Sequence, residues 1–253
     1  MMTSLNWKLR IVLVMFVLLL GYVAFVYART ENTRLPSGDR SATPGQPVAR
    51  TAVLYDSLHL DSLGLSRDAY TYAVRGQQYL EQNGKLANDS ILSIVDFSLP
   101  SSRKRLFVID TKNGRLLFNT FVSHGRNSGT LKATSFSNKP NSYKSSLGFY
   151  ITGDTYNGQH GYSLRLEGEE AGINDNAMNR GIVMHSARYV DEDLISSQGY
   201  IGRSQGCPAI PEELHKAIIS QIRNGSCLFL YSPDKYYASH SPILHSGLIA
   251  QAG

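Results

Sequence analysis

The stretch RLFVIDTKNGRLLFNTFVSH, residues 105–124, decides the fold. Two runs rich in Leu, Phe, Val and Ile flank Lys112-Asn113-Gly114, and an Asn-Gly pair tolerates the positive φ of a tight turn. A β-hairpin is therefore expected here. Further strand signals follow: LGFYITG (147–153), YSLRLEG (162–168), GIVMHSA (181–187) and CLFLY (227–231). Within YSLRLEG, Tyr162, Leu164 and Leu166 alternate with Ser163, Arg165 and Glu167, the pattern of a half-buried strand. One helix interrupts the series after residue 210. Pro211-Glu212-Glu213 starts it, Leu214, Ala217, Ile218 and Ile222 form its apolar stripe, and Asn224-Gly225 ends it.

Working towards the N-terminus, Ser66 suits the cap of a helix that places Ala69, Ala73, Gly76 and Leu80 on one face and stops at Gly84. This gives a helical preface over 51–97 that serves packing, a mainly β domain over 98–240 and a C-terminal tail over 241–253. Residues 29–50 contain three prolines and two glycines and no aromatic residue, as a flexible linker would. Before them, Lys8 and Arg10 precede an uncharged run from Ile11 to Ala28. Residues 1–28 thus read as an export signal, either cleaved after Ala28 or retained as an anchor in the inner membrane. The expected location is the periplasm or cell envelope.

The net charge of +5 is deceptive. Residues 1–50 hold six Lys and Arg against two acids, a surplus of four that leaves the remaining chain almost neutral. No nucleic-acid partner is expected. Neither is a metal or cofactor: there is no H-E-x-x-H and no paired C-x-x-C, and the seven histidines are scattered.

GRSQGCPAIP, residues 202–211, holds two candidate nucleophiles. Ser204 sits in a literal G-x-S-x-G, but a nucleophile elbow needs a helix directly after the serine, and Gly206 and Pro208 obstruct one. Cys207 suits the chemistry better. A histidine that takes the thiol proton activates it, and His185 follows the apolar strand GIVM, which would hold it in place. Gly206 lets the backbone turn sharply, so that the Cys207 amide could stabilise an oxyanion. Proximity to a histidine predicts a thiol pKa below the ~8.5 of a free cysteine. Two cysteines in an exported chain also suit a Cys207–Cys227 disulfide in a non-catalytic wall-binding module, although Cys227 in SCLFLY reads as a buried strand residue.

IVMHSARYV (182–190), followed 22 positions after its histidine by the cysteine of GRSQGCPAI (202–210), resembles the YkuD-like L,D-transpeptidase family. It is most similar to the murein L,D-transpeptidase catalytic domain branch, which FVSHGRNSG (121–129), SFSNKPNSYKSSLGFY (135–150) and GINDNAMNRGIVMHSA (172–187) also fit. The likeness runs from Tyr70 to Tyr231. It implies a YkuD-like β-sandwich with Cys207 as acyl-enzyme nucleophile, His185 as base and the Ser186 carbonyl orienting the imidazole. Ser204 and Gly206 would shape the loop, and His124 and Arg203 are candidate substrate contacts. Where many members have His before the loop glycine and Arg or Asn shortly after the cysteine, this chain has Gln205, Pro208 and Ala209. The implied substrate is a peptidoglycan tetrapeptide stem, joined in a 3-3 cross-link or, with water as acceptor, trimmed as by an L,D-carboxypeptidase; a different donor bond would make the enzyme an amidase.

Overall fold

The computed structural model describes Met15 and residues 53–249. Apart from Met15, the export segment and the linker expected from the sequence lie outside the described residues. No helix among the described residues is long and apolar enough to cross a membrane.

Helix α1, Arg67–Gln82, begins where Ser66 accepts the Ala69 amide at 3.0 Å. It buries Ala69, Ala73, Gly76 and Leu80 as the spacing predicts, with Tyr70 and Gln77 beside them. Strands β1 (Ile91–Asp96), β2 (Leu106–Asp110), β3 (Arg115–Thr120), β4 (Gly148–Gly158) and β5 (Gly161–Gly168) follow, then β6 (Val183–Ser186). After these come α2 (Glu192–Gln198), β7 (Ala209–Ile210), α3 (His215–Ile222), β8 (Cys227–Tyr231), α4 (Lys235–His240) and α5 (Pro242–Ile249). The hairpin of β2 and β3 forms as expected. Gly114 takes φ +61°, and Asp110 ties the turn by accepting the Asn113 amide at 2.9 Å.

The strands make one eight-stranded sheet in the order β3-β2-β1-β8-β4-β5-β6-β7. Its two ends meet. Beyond β3 the chain stays extended, and Ser123 donates its amide to the Ala209 carbonyl of β7 at 2.8 Å while its Oγ accepts the Ala209 amide at 3.2 Å. A bridge between Gly125 and Ser204 continues the contact. The expected sandwich is thus replaced by a nearly closed, barrel-like sheet, because pairing β3's extension to β7 satisfies two edges at once.

Three other expectations change. Residues 91–96, placed in the helical preface, form β1, every residue of which is buried. Its edges pair with antiparallel β2 and parallel β8, and with α1 and α3 packed against it all of its side chains are buried, so it shows no alternation. Residues 242–249, read as tail, form α5, which packs on α1. In α3, Ile219 is buried with Ile218 and Ile222, whereas Ala217 is exposed.

The core centres on β8 and β4. Phe149 and Phe229 stack with centroids 4.2 Å apart, and α1 lies so close above them that a Cβ on Gly76 would sit 2.0 Å from the Phe149 ring.

Candidate active site

Strand β6 sets His185 opposite Ala209 of β7, two residues after Cys207. The parallel pairing brings the catalytic candidates to one end of the closed sheet, although they are far apart in sequence. Both line a cavity of about 540 Å³. His185 is nearly fully buried, and its Nδ1 lies 2.8 Å from the Ser186 carbonyl oxygen. A carbonyl only accepts, so Nδ1 carries the proton and Nε2 is left with a free lone pair.

The loop carrying Cys207 is built by Ser204. Its hydroxyl donates to the Cys207 carbonyl at 2.6 Å and accepts the Gly206 amide at 3.0 Å. With donor and acceptor both engaged, Ser204 braces the turn. Gly206 takes φ +129°, and a Cβ there would meet the Lys144 carbonyl oxygen at 2.8 Å, so the position requires glycine. The Cys207 amide N–H has no hydrogen-bond acceptor among the described residues and is free for an oxyanion.

The electrostatics differ from the sequence expectation. Burial pushes the Cys207 thiol up, opposed by a main-chain hydrogen bond from Val183 and by the Arg180 charge. Its Sγ donates weakly to the Gly181 carbonyl at 3.7 Å. Burial also pushes His185 down, against the Ser186 hydrogen bond, and the His160 charge lowers it further. Desolvation disfavours both charged forms, so the resting pair is thiol and neutral imidazole, not the lowered thiol predicted from a neighbouring histidine.

His124 is not a cavity residue. It is fully buried, with Nδ1 2.7 Å from the Arg105 guanidinium and Nε2 3.1 Å from the Gly129 carbonyl, and burial together with Arg105 holds it down at about 4. Both ring nitrogens are used inside the protein, which replaces the expected substrate contact with a brace for the 124–129 loop. Arg203 does line the cavity.

The expected alternative disulfide is absent. Cys207 and Cys227 are both free, and Cys227 is fully buried in β8. Three strands separate β8 from β7 in either direction round the sheet. At roughly 4.8 Å per strand this exceeds the ~7 Å Cα limit of a bridge.

Several cavity residues had no sequence signal. The His160 ring stacks on that of His185 at 4.3 Å from the β4–β5 turn. Arg180 donates to the carbonyls of Ser137 at 2.8 Å and Lys144 at 2.6 Å and to the Ser142 and Ser146 hydroxyls, pinning the 137–146 loop beside the cysteine. Arg126 and Tyr189 also face the cavity. Arg180 and Arg126 lie within the stretches that carry the family resemblance, but only the folded chain turns them towards Cys207.

A nearly closed β sheet with a thiol and an imidazole at one end defines a candidate cysteine-dependent enzyme. The profile of the L,D-transpeptidase catalytic domain matches residues 62–231, and the chain belongs to that family. No curated protein matches the sequence. Among solved structures, an L,D-transpeptidase from Mycobacterium smegmatis is 15% identical, with 56% of this chain and 59% of that chain covered and a TM-score of 0.35. The helical cell shape determining protein Pgp2 from Campylobacter jejuni is also 15% identical, over 74% of this chain and 65% of that one, with a TM-score of 0.37. An L,D-transpeptidase from Stackebrandtia nassauensis is 13% identical, over 66% and 68%, with a TM-score of 0.35. The chain therefore spans less than two thirds of the length of the first two.

Proposed function

We propose that the protein is a peptidoglycan L,D-transpeptidase acting through a Cys207 acyl-enzyme. The observation that supports this most directly is the imidazole of His185, which opens into the Cys207 cavity with Nδ1 committed to the Ser186 carbonyl and Nε2 free.

In the proposed reaction, His185 Nε2 takes the proton from Cys207 Sγ as the sulfur attacks the carbonyl carbon of the diamino acid at position three of a tetrapeptide stem. The Cys207 amide donates to the resulting oxyanion. Collapse breaks the bond to the terminal D-alanine, whose amine leaves with the proton from His185, and a thioester remains. The amine of a neighbouring stem then attacks the thioester and gives its proton to His185. The thiolate leaves and takes that proton back, and a 3-3 cross-link has formed. Because the resting pair is neutral, His185 acts as a general base during attack and does not hold a preformed thiolate.

Hydrolysis is the second reading. The cavity beside Cys207 is lined mostly by polar side chains, so water could stand in for the acceptor amine and yield an L,D-carboxypeptidase. An exported location in the periplasm or cell envelope accords with such a substrate and with the N-terminal signal in the sequence.

Incubation with purified disaccharide-tetrapeptide, followed by mass analysis, separates these readings. Loss of D-alanine with dimer formation supports transpeptidation, and loss without dimer supports hydrolysis. Intact stems, with no thioester on Cys207, overturn both.

A further inference from the structure

The charge of the cavity narrows the substrate, given the reading of Cys207 as the site of acyl transfer. Arg126, Arg180 and Arg203 line it, and no aspartate or glutamate is among its lining residues. None of the three belongs to an ion pair among the described residues. Arg180 spends both terminal nitrogens on loop carbonyls and hydroxyls, so it contributes charge but little hydrogen bonding to a ligand.

The other two are differently placed. Half-buried Arg203 uses only Nη1, at 3.3 Å from the carbonyls of Arg126 and Gly129, and these are long contacts. Its Nε and Nη2 have no acceptor in the protein among the described residues. Exposed Arg126 lies over the Tyr143 ring at 4.1 Å and makes no side-chain hydrogen bond among those residues. The Arg126 amide donates to the Ser204 carbonyl at 2.8 Å, so the chain segments bearing the two arginines are joined next to the cysteine loop. Two arginines that line one cavity without an acid leave its positive charge uncompensated, and an anion bound there offsets it. The planar fork of a guanidinium fits a carboxylate, with two parallel N–H donors to its two oxygens.

We propose that Arg126 and Arg203 form a receptor for a free carboxylate of the donor stem, and that the enzyme therefore selects stems bearing that carboxylate over stems in which it is amidated. The same chemistry is offered by three groups of such a peptide: the free carboxylate of the residue before the diamino acid, the side-chain carboxylate of the diamino acid, and the terminal carboxylate of D-alanine.

Four synthetic stems of one sequence test this, one fully free and three each amidated at one of these groups. Calorimetry with the Cys207→Ala protein reads binding without chemistry. One amidation is expected to weaken binding by about tenfold or more, the range of a charge-assisted pair, and the advantage of the free stem is expected to shrink with added salt. In the active protein the same amidation should raise KM more than it lowers kcat. Arg126→Gln and Arg203→Gln should bring the ratio of affinities for the free and amidated stems close to one, and Arg126→Lys should retain part of it. Because Arg126 is exposed, its variant is expected to keep the wild-type melting temperature. Equal binding of all four stems overturns the receptor even where turnover supports the transpeptidase reading. Selective binding without turnover of any stem upholds the receptor and overturns that reading.

Discussion

At Cys207 two influences oppose each other. Burial favours the neutral thiol, whereas Arg180 and the Val183 main-chain hydrogen bond favour the thiolate, and burial prevails. Alkylation of the resting thiol should therefore be slow at neutral pH and accelerate above the ordinary thiol range; fast alkylation at pH 7 would contradict the neutral pair. In the proposed mechanism His185 must be neutral to accept the proton, and burial holds its pKa below the ordinary 6.5. Activity should accordingly persist through pH 6.5 and fall only as the pH drops through that lowered value. His160→Ala removes a charge that helps to depress His185, so the acid limb of kcat/KM should move up towards 6.5. An unmoved limb would show that the stacked ring has no electrostatic hold on the base. Ser204 and Cys207 should separate cleanly. Cys207→Ala is expected to abolish D-alanine release with the fold intact. Ser204→Ala loses two loop hydrogen bonds but no reacting atom, so it should retain measurable turnover. Equal loss in both variants, with no adduct on the cysteine, would return the nucleophile's role to Ser204.

At the scale of elements, α1 shows how packing overrides propensity. Alanine is favoured over glycine inside a helix by about 1 kcal/mol, so Gly76→Ala would stabilise an isolated α1. In the folded chain the new methyl would lie 2.0 Å from Phe149, which is fully buried and stacked on Phe229. Neither ring has room to move, and overpacking of this kind costs about 1–3 kcal/mol. Gly76→Ala should thus lower the urea midpoint, and a raised midpoint would mean that α1 shifts freely on the sheet. The same approach explains why Gly76 falls on the buried face that the sequence spacing marked. That spacing identified the face of α1 but not the strand it covers. The hairpin of β2 and β3 was equally legible, because its turn chemistry is local. Strand β1 was not, since a strand covered on both faces lacks the alternation that marks a half-buried one.

For the whole molecule, Glu170 links the sheet to the C-terminal helices. Its carboxylate accepts the Phe149 amide at 2.8 Å and the Tyr237 hydroxyl at 3.1 Å, and also the Ser241 hydroxyl. Burial raises its pKa above the ordinary 4.5 despite these donors. A raised folded pKa means that the folded state binds the proton more tightly than the unfolded chain. The linked stability is fully present below the unfolded pKa and is lost as pH rises through the folded one. Relative to Glu170→Gln, whose amide does not titrate, the wild-type melting temperature should decline as the pH is raised from about 4 towards neutrality, the range spanning the unfolded carboxylate value. A constant difference between the two melting curves across that range would remove Glu170 as the source.

The sequence alone determined what depends on neighbours along the chain: the cap at Ser66, the Asn-Gly turn and the α3 helix. The family motif added His185 and Ser186: His185 lines the same cavity as Cys207, and the Ser186 carbonyl lies against its Nδ1. Only the tertiary structure decided that β3's extension pairs with β7 to close the sheet, that Cys227 lies across it from Cys207, and that His124 turns inward to Arg105 while Arg126, Arg180 and His160 turn towards the thiol. Side-chain direction in loops and the desolvation of a thiol are set by atoms brought from distant parts of the chain. Periodicity and spacing carry no record of them.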